Sequence, residues 1–414
     1  MSRHPETNES HGEPDKRQAS SRNLGEVFSA FGKLGLISFG GPIAHLGYFH
    51  AEFVARRRWI SESDYADLVA LCQFLPGPAS SQVVFALGLQ RAGLLGGIIA
   101  SLCFTLPSAF LLIAFAYGVA SGGDLSHAGW LHGLKLAAVA VVAQAVWGMG
   151  KNLCPDRPRI TLCVAAAAVL LVIPGAIAQI GVIAAGALVG LVFYRSETAA
   201  NDAPRQRYAL RGHLAAASVL AVFFALLFIL PALVAFTQSR HLAYFDSFYR
   251  SGSLVFGGGH VVLPLLRQEI VPRGWLSDDL FLAGYGAAQA VPGPLFTFAA
   301  YLGTAMQPGA LAWMNGLWCL LGIFLPAWLL IGGALPFWHS LRTKAWAQAS
   351  LRGANAAVVG VLLAALYSPV CTEAIRNNRD VAASLVGFLC LQHWKIPAWI
   401  VVLCMAAAGM WLAS

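Results

Sequence analysis

Five stretches of the chain contain no Asp, Glu, Lys or Arg: residues 68–90, 92–123, 160–194, 214–236 and 280–341. Charge-free runs of this length predict membrane-spanning helices, which need about 20 apolar residues each. The run 214–236 is 23 residues long and predicts one uninterrupted span. The run 160–194 has 35 residues. A single helix of that length would reach roughly 52 Å, too long for a hydrocarbon core of about 30 Å. Pro174-Gly175 divides it, which predicts a hairpin of two short helices. The stretch 280–341 is cut at Val291-Pro292-Gly293-Pro294 and again near Gln307-Pro308-Gly309. Pro76-Gly77-Pro78 breaks 68–90, because both prolines lack an N–H and each disfavours helix at the preceding residue. This predicts half-helices over about 68–75 and 79–90 that meet inside the membrane. Non-helical backbone at that depth is tolerated only where it is buried in protein or lines a wet cavity.

The breaks occur twice. Phe39-Gly40-Gly41 recurs as Phe256-Gly257-Gly258, and Pro76-Gly77-Pro78 as Pro292-Gly293-Pro294. Around them Lys33 matches Arg250, Glu52 matches Glu269, Arg56 matches Arg273 and Gln73 matches Gln289. Trp59-Ile60-Ser61 returns as Trp275-Leu276-Ser277, and Leu131-His132-Gly133 as Leu351-Arg352-Gly353. The organisation read from this is a disordered cytoplasmic tail over 1–23, a first repeat over 24–195, a loop and linking helix over 196–244, and a second repeat over 245–414. A single helix between two equivalent units turns the second upside down. The loop charges alternate accordingly. Loop 150–159 holds Lys151, Arg157 and Arg159, and loop 195–211 holds four arginines, which places both inside; loop 120–128 has no Lys or Arg, which places it outside. The expected fold is an all-α polytopic membrane protein of two inverted repeats with proline-broken helices. It has roughly thirteen membrane segments, the N-terminus inside and the C-terminus outside.

Composition agrees: 58% of the residues are hydrophobic and 11% charged, less than half the usual share, which excludes a soluble enzyme and a nucleic-acid-binding module. The net charge of +8 is then mostly a matter of topology. The eight cysteines show no metal-site spacing and read as small buried hydrophobes.

Inverted repeats with a broken helix at matching positions are the signature of secondary transporters with a midplane site. The half-helix after Pro78 exposes its first N–H groups, and with the Ser80 and Ser81 hydroxyls these make an oxyanion cradle. Thr297 offers one hydroxyl at the matching place. Fixed positive charge would come from Lys33 and Arg250, with snorkelling to the interface as the plain alternative. Lys135, four residues into its helix, is read as snorkelling. The candidate oxyanion site comprises Lys33, Gly40, Gly41, Gln73, Pro76, Gly77, Pro78, Ser80, Ser81, Arg250, Gly258, His260, Gln289, Pro292, Gly293, Pro294 and Thr297. No acid lies deep in a long apolar run. Proton or anion exchange would fall to His260, His45 or Glu52, and Glu52 and Glu269 read equally well as ion-pair partners of nearby arginines. No residue is assigned to catalysis, to a metal or to a cofactor. Residue typing alone stops at an oxyanion transporter.

The segments FGGPIAHLGYFHAEFV (39–54), LCQFLPGPASSQ (71–82), FGGGHVVLPLL (256–266) and AVPGP (290–294) resemble the chromate ion transporter superfamily in its long two-domain form. The resemblance covers about 24–413. It implies export of chromate across a bacterial inner membrane and chromate resistance. The alternatives are a sulfate or other oxyanion permease and an anion channel. The expected partners are chromate, with sulfate as the second candidate, and the lipid bilayer; a homodimer stays open.

Overall fold

The computed structural model describes residues 16–39, 41–121, 129–193, 210–256, 259–338 and 344–412. The chain runs through α1 (Lys16–Ile37), α2 (Gly41–Phe49, continuing in wider turns through Arg56), α3 (Glu62–Phe74) and α4 (Ala79–Ser121). It continues with α5 (Gly129–Leu153), α6 (Arg157–Val172), α7 (Ala176–Phe193) and α8 (Leu210–Thr237). The second half follows the same order: α9 (Arg240–Leu254), α10 (Val262–Ile270), α11 (Asp278–Ala288), α12 (Phe298–Ala305) and α13 (Ala312–Ala334). It closes with α14 (Ala345–Ala365), α15 (Asn378–Gln392) and α16 (Ala398–Leu412). No strand occurs among the described residues, and five helices are long and apolar enough to cross a membrane.

The proline breaks fall where the sequence puts them. Helix stops at Phe74 and resumes at Ala79, stops at Ala288 and resumes at Leu295, and is interrupted over 173–175. Gly77, Gly175 and Gly293 take φ of +116°, +136° and +98°, values that a Cβ disfavours. One further break has no proline. Inside α4, Ala92 (φ −144°, ψ 29°) and Gly93 (φ 67°, ψ −163°) leave the helix. The two arms, 79–91 and 94–121, then fold against each other with Gly88 packed on Gly96. Arg91, at the end of the first arm, lies 5.0 Å from the Trp59 ring, just before α3 begins. Segment 59–91 is therefore a helical hairpin that returns to its starting level, with Pro76-Gly77-Pro78 at its tip. The second half repeats it: Tyr301 of α12 donates to the Leu280 carbonyl at the start of α11 (2.9 Å). Helices α1 and α2 make another hairpin, since Phe53 on the return arm packs against Phe31 (4.8 Å). Helices α9 and α10 make the fourth, with Tyr244 against Trp275 (4.7 Å).

Matched residues start matched helices. Ser61 and Ser277, each two positions after the repeated tryptophan, cap α3 and α11 by accepting from the N–H of Asp64 and Leu280. Asp156 and Asn377 do the same for α6 and α15. The packing between halves is reciprocal. Helix α5 lies on α15 and α16 of the second half, while α14 lies on α6 and α7 of the first. Glycines make both crossings close: Gly133 meets Met405 and Ala406, and Gly353 meets Gly186 and Gly190. Such backbone approach is how helices associate where lipid supplies no hydrophobic drive. Gly353→Ala would push a methyl into the Gly186 carbonyl. Overpacking of this kind costs about 1–3 kcal/mol. The variant is expected to unfold at lower temperature in detergent, whereas Gly47→Ala, with open space around it, should not shift the transition.

Candidate functional site

The four hairpin tips meet. The Gly77 N–H donates to the Val255 carbonyl (2.7 Å), and the Gly293 N–H donates to the Ser38 carbonyl (2.8 Å). Ser38 matches Val255 in the repeat as Gly77 matches Gly293, so the two bonds are images of each other. Each Pro-Gly-Pro tip is thus held by the end of the other half's first helix. The next layer is matched too: a Cβ on Gly77 would rest against Ala327, and one on Gly293 against Ser108. Ala327 and Ser108 each follow a proline inside a helix, Pro326 in α13 and Pro107 in α4. Gly259 faces Pro42 across the same seam.

Buried polar atoms without a partner in the protein collect here. They are Ser38 Oγ, Ser81 Oγ, the Gln82 Oε1 whose amide Nε2 donates to the Pro76 carbonyl (2.8 Å), Gln289 Nε2 and His45 Nδ1. An unpaired buried hydroxyl or amide costs about 1–3 kcal/mol, so a group of them at one place calls for a ligand or water. The first intrahelical bond of α4 is made by the Gln82 N–H to the Pro78 carbonyl. The N–H groups of Ala79, Ser80 and Ser81 are therefore left for another acceptor, at the positive end of the helix dipole. The second tip is less open. Thr297 donates both its N–H (3.0 Å) and its hydroxyl (2.8 Å) to the Pro294 carbonyl.

The other candidates fall in different places. Ser80, Ser81, Pro78, Pro292, Pro294 and Thr297 are buried at the tips, and Pro76, Gly293 and Gln289 are half-buried there. Gly41 (φ +78°) starts α2 at the first tip. Gln73 and Lys33 are exposed, and Arg250 is held by Asp246 (2.9 Å) and Glu269 (3.1 Å). The matched cations thus diverge: the first half has Ser29 where the second has Asp246. Gly40 and Gly258 lie outside the described residues. His260 is hydrogen-bonded through Nδ1 to the Tyr285 hydroxyl (2.7 Å). Glu52 and Glu269 are ion-pair partners, of Arg56 (2.8 Å) and Arg57 (2.6 Å) and of Arg273 (2.9 Å) respectively.

One residue escapes the sequence reading, and His45, read there as a candidate for proton or anion exchange, makes a contact that reading does not show. Ser38 precedes the glycine cluster but has no hydroxyl counterpart, since Val255 stands at the matching position. His45 donates through Nε2 to the same Ser38 carbonyl that holds Gly293 (3.1 Å). A carbonyl only accepts, so Nε2 carries the proton. One further reading is corrected. Lys135 does not snorkel: its side chain is 4% exposed and its ammonium meets Asp279 of α11 at 2.8 Å. Outside the long apolar runs two acids are buried, Asp246 (2% exposed) in α9 and Asp380 (0%), which accepts from His132 (2.8 Å). Each was hidden because its partner lies on another helix or a turn away. A cleft of about 480 Å³ lined by His241, Gln307, Asn315 and Trp318 opens at the ends of the second-half hairpins opposite their tips.

The tips therefore present neutral donors, the N–H groups of residues 79–81, the Ser38 and Ser81 hydroxyls and the Gln289 amide, beside two acceptors, Gln82 Oε1 and His45 Nδ1, and no free cation among the described residues. That donor set suits an anion that accepts hydrogen bonds on several sides. Comparison with known proteins decides which anion family is concerned. The chromate transporter family model matches residues 25–191 and again 242–410. The chain belongs to the chromate transporter family. Its two matched regions are the two halves described above, and the family is one of transporters, not enzymes. The chain is 31% identical to a chromate transport protein of Pseudomonas aeruginosa, covering 92% of this chain and 90% of that one. It is 26% identical to a probable chromate transport protein of Synechococcus elongatus (94% and 95% covered). It is 25% identical to a chromate transport protein of Cupriavidus metallidurans (90% and 88%). No solved structure matches the chain. As a family member with apolar spanning helices, it is an integral membrane protein.

Proposed function

We propose that this protein is a secondary transporter that exports chromate across a bacterial inner membrane and so confers chromate resistance, with the oxyanion bound where the four hairpin tips meet. The observation that carries the site is the pair of reciprocal bonds, Gly77 to Val255 and Gly293 to Ser38, beside unpaired donors on Ser38, Ser81 and Gln289. The relatives' names give transport without a direction, and the energetics favour export. A dianion leaving a negative-inside cell gains about 4.6 kcal/mol per 100 mV, about a thousandfold gradient, so membrane potential can drive export without an exchanged ion.

The loop charges support the inverted arrangement. Both first-half hairpins return to the level of Arg56-Arg57-Arg58, a cytoplasmic signal, which makes them re-entrant from inside. The second-half hairpins then enter from outside. Four re-entrant hairpins and nine crossings (the second arm of α4, α5 to α8, α13 to α16) give thirteen segments, with the N-terminus inside and the C-terminus outside. In this arrangement the two reciprocal bonds sit on opposite sides of one midplane site, and loosening one while keeping the other opens the site to one side.

The test is transport. Everted vesicles bearing the protein should accumulate chromate under an inside-positive potential, and whole cells should accumulate less of it. Greater accumulation in whole cells would overturn export, and uptake of sulfate with no competition from chromate would overturn the substrate. Ser80→Ala with Ser81→Ala removes both hydroxyls beside the free N–H groups. Hydrogen bonds to a charged group contribute about 1.5–3 kcal/mol each. The double variant is expected to lose about tenfold or more in chromate uptake at unchanged abundance in the membrane.

A further inference from the structure

The turn between α5 and α6 holds two thiols in contact. Cys154 lies in the turn and Cys163 in the second turn of α6, both are free, and their residues are 5% and 7% exposed. They pack together in one small cluster with Ala356 and Val359 of α14. The flanking residues Pro155, Arg157, Pro158 and Ile160 are exposed, so the pair lies one layer below the surface rather than deep in the bundle. Helix α5 ends with its Cys154 N–H bonded to the Gly150 carbonyl (3.0 Å), and Asp156 caps α6, which fixes the turn that holds Cys154 against the start of the helix that holds Cys163. The other six cysteines have no thiol neighbour of this kind: Cys319 and Cys72 are buried alone among apolar side chains, and Cys404 is exposed.

We infer that Cys154 and Cys163 form a redox-active dithiol that closes to an intrachain disulfide under a two-electron oxidant of the peroxide class. The thiolate is the nucleophile, and the exposed cations Lys151 and Arg157 flank Cys154 in the turn. The Cys163 thiolate attacks one peroxide oxygen, the O–O bond breaks and hydroxide leaves, giving a sulfenic acid. The Cys154 sulfur then attacks the sulfenic sulfur, the S–O bond breaks, and its proton leaves with the oxygen as water. Two thiols and one hydrogen peroxide thus become one disulfide and two waters. The product ties the end of α5 to α6 at the point where Gly360 of α14 meets the Cys163 carbonyl.

The experiment uses the purified full-length protein in detergent, treated with hydrogen peroxide, denatured in maleimide and digested for mass spectrometry. Two of the eight thiols should be lost, as a dithiothreitol-reversible link between Cys154 and Cys163, before any other cysteine reacts. In Cys154→Ser, Cys163 should be trapped by dimedone as a sulfenic acid, and in Cys163→Ser, Cys154 should stay alkylatable. Retention of both thiols while Cys404 oxidises would overturn the inference. A link of either cysteine to another cysteine or to a second chain would overturn it equally.

Discussion

Gly293→Ala is expected to reduce chromate transport about a hundredfold while the protein still reaches the membrane. Gly293 sits at φ +98°, where a Cβ costs about 1–2 kcal/mol. That Cβ would lie 2.8 Å from Ser108 Oγ and 3.2 Å from the Phe104 carbonyl, so the tip must shift against a neighbouring helix backbone. Overpacking adds about 1–3 kcal/mol, and the bond that suffers first is the one from the Gly293 N–H to Ser38. A loss of about 2.7 kcal/mol is a factor of about a hundred in rate. Gly77→Ala should be milder, although φ is +116°, because the nearest atom is the movable Gln82 amide at 3.0 Å. Chromate uptake by everted vesicles, normalised to protein in the membrane, measures both. Equal activity of Gly293→Ala and the unaltered protein would show that the tip geometry is not needed for transport.

Asp279→Ala is expected to be among the most destabilising single changes outside the tips. It strips the buried Lys135 ammonium of its carboxylate at 2.8 Å and leaves a charge in a site that is 4% exposed. Removing one member of a buried pair costs about 3–5 kcal/mol. The Asp279 carboxylate is itself 48% exposed, so the converse change, Lys135→Met, leaves only a carboxylate that water can reach and should cost far less. The double variant should recover most of the loss. Thermal unfolding in detergent is the readout, and similar transitions for Asp279→Ala and Lys135→Met would contradict the burial asymmetry.

Much of the fold could be read from the sequence because proline, glycine and charge act locally. Helix ends two residues before Pro76 and Pro174 and four before Pro292. The turn at Ala92-Gly93 was not legible: glycine permits that conformation without demanding it, and the packing of Gly88 on Gly96 that selects it is tertiary. The site was legible in part. The duplicated breaks identified the tips, and Ser80 and Ser81 are buried there. The fixed cations were harder, because position in an apolar stretch does not say which way a side chain points. Lys33 is exposed, Arg250 is neutralised by an acid one turn away, and Lys135 reaches across to the other half. Ser38 and His45 matter through a backbone carbonyl, which no residue pattern displays.

The most direct test of the central claim is a density map of the protein loaded with chromate, read between residues 76–82 and 292–298. The account predicts a tetrahedral anion there, within hydrogen-bond reach of the Ala79, Ser80 and Ser81 N–H groups and the Ser81 hydroxyl. An anion bound instead beside Lys33 or in the cleft at His241, with the tips empty, would contradict it.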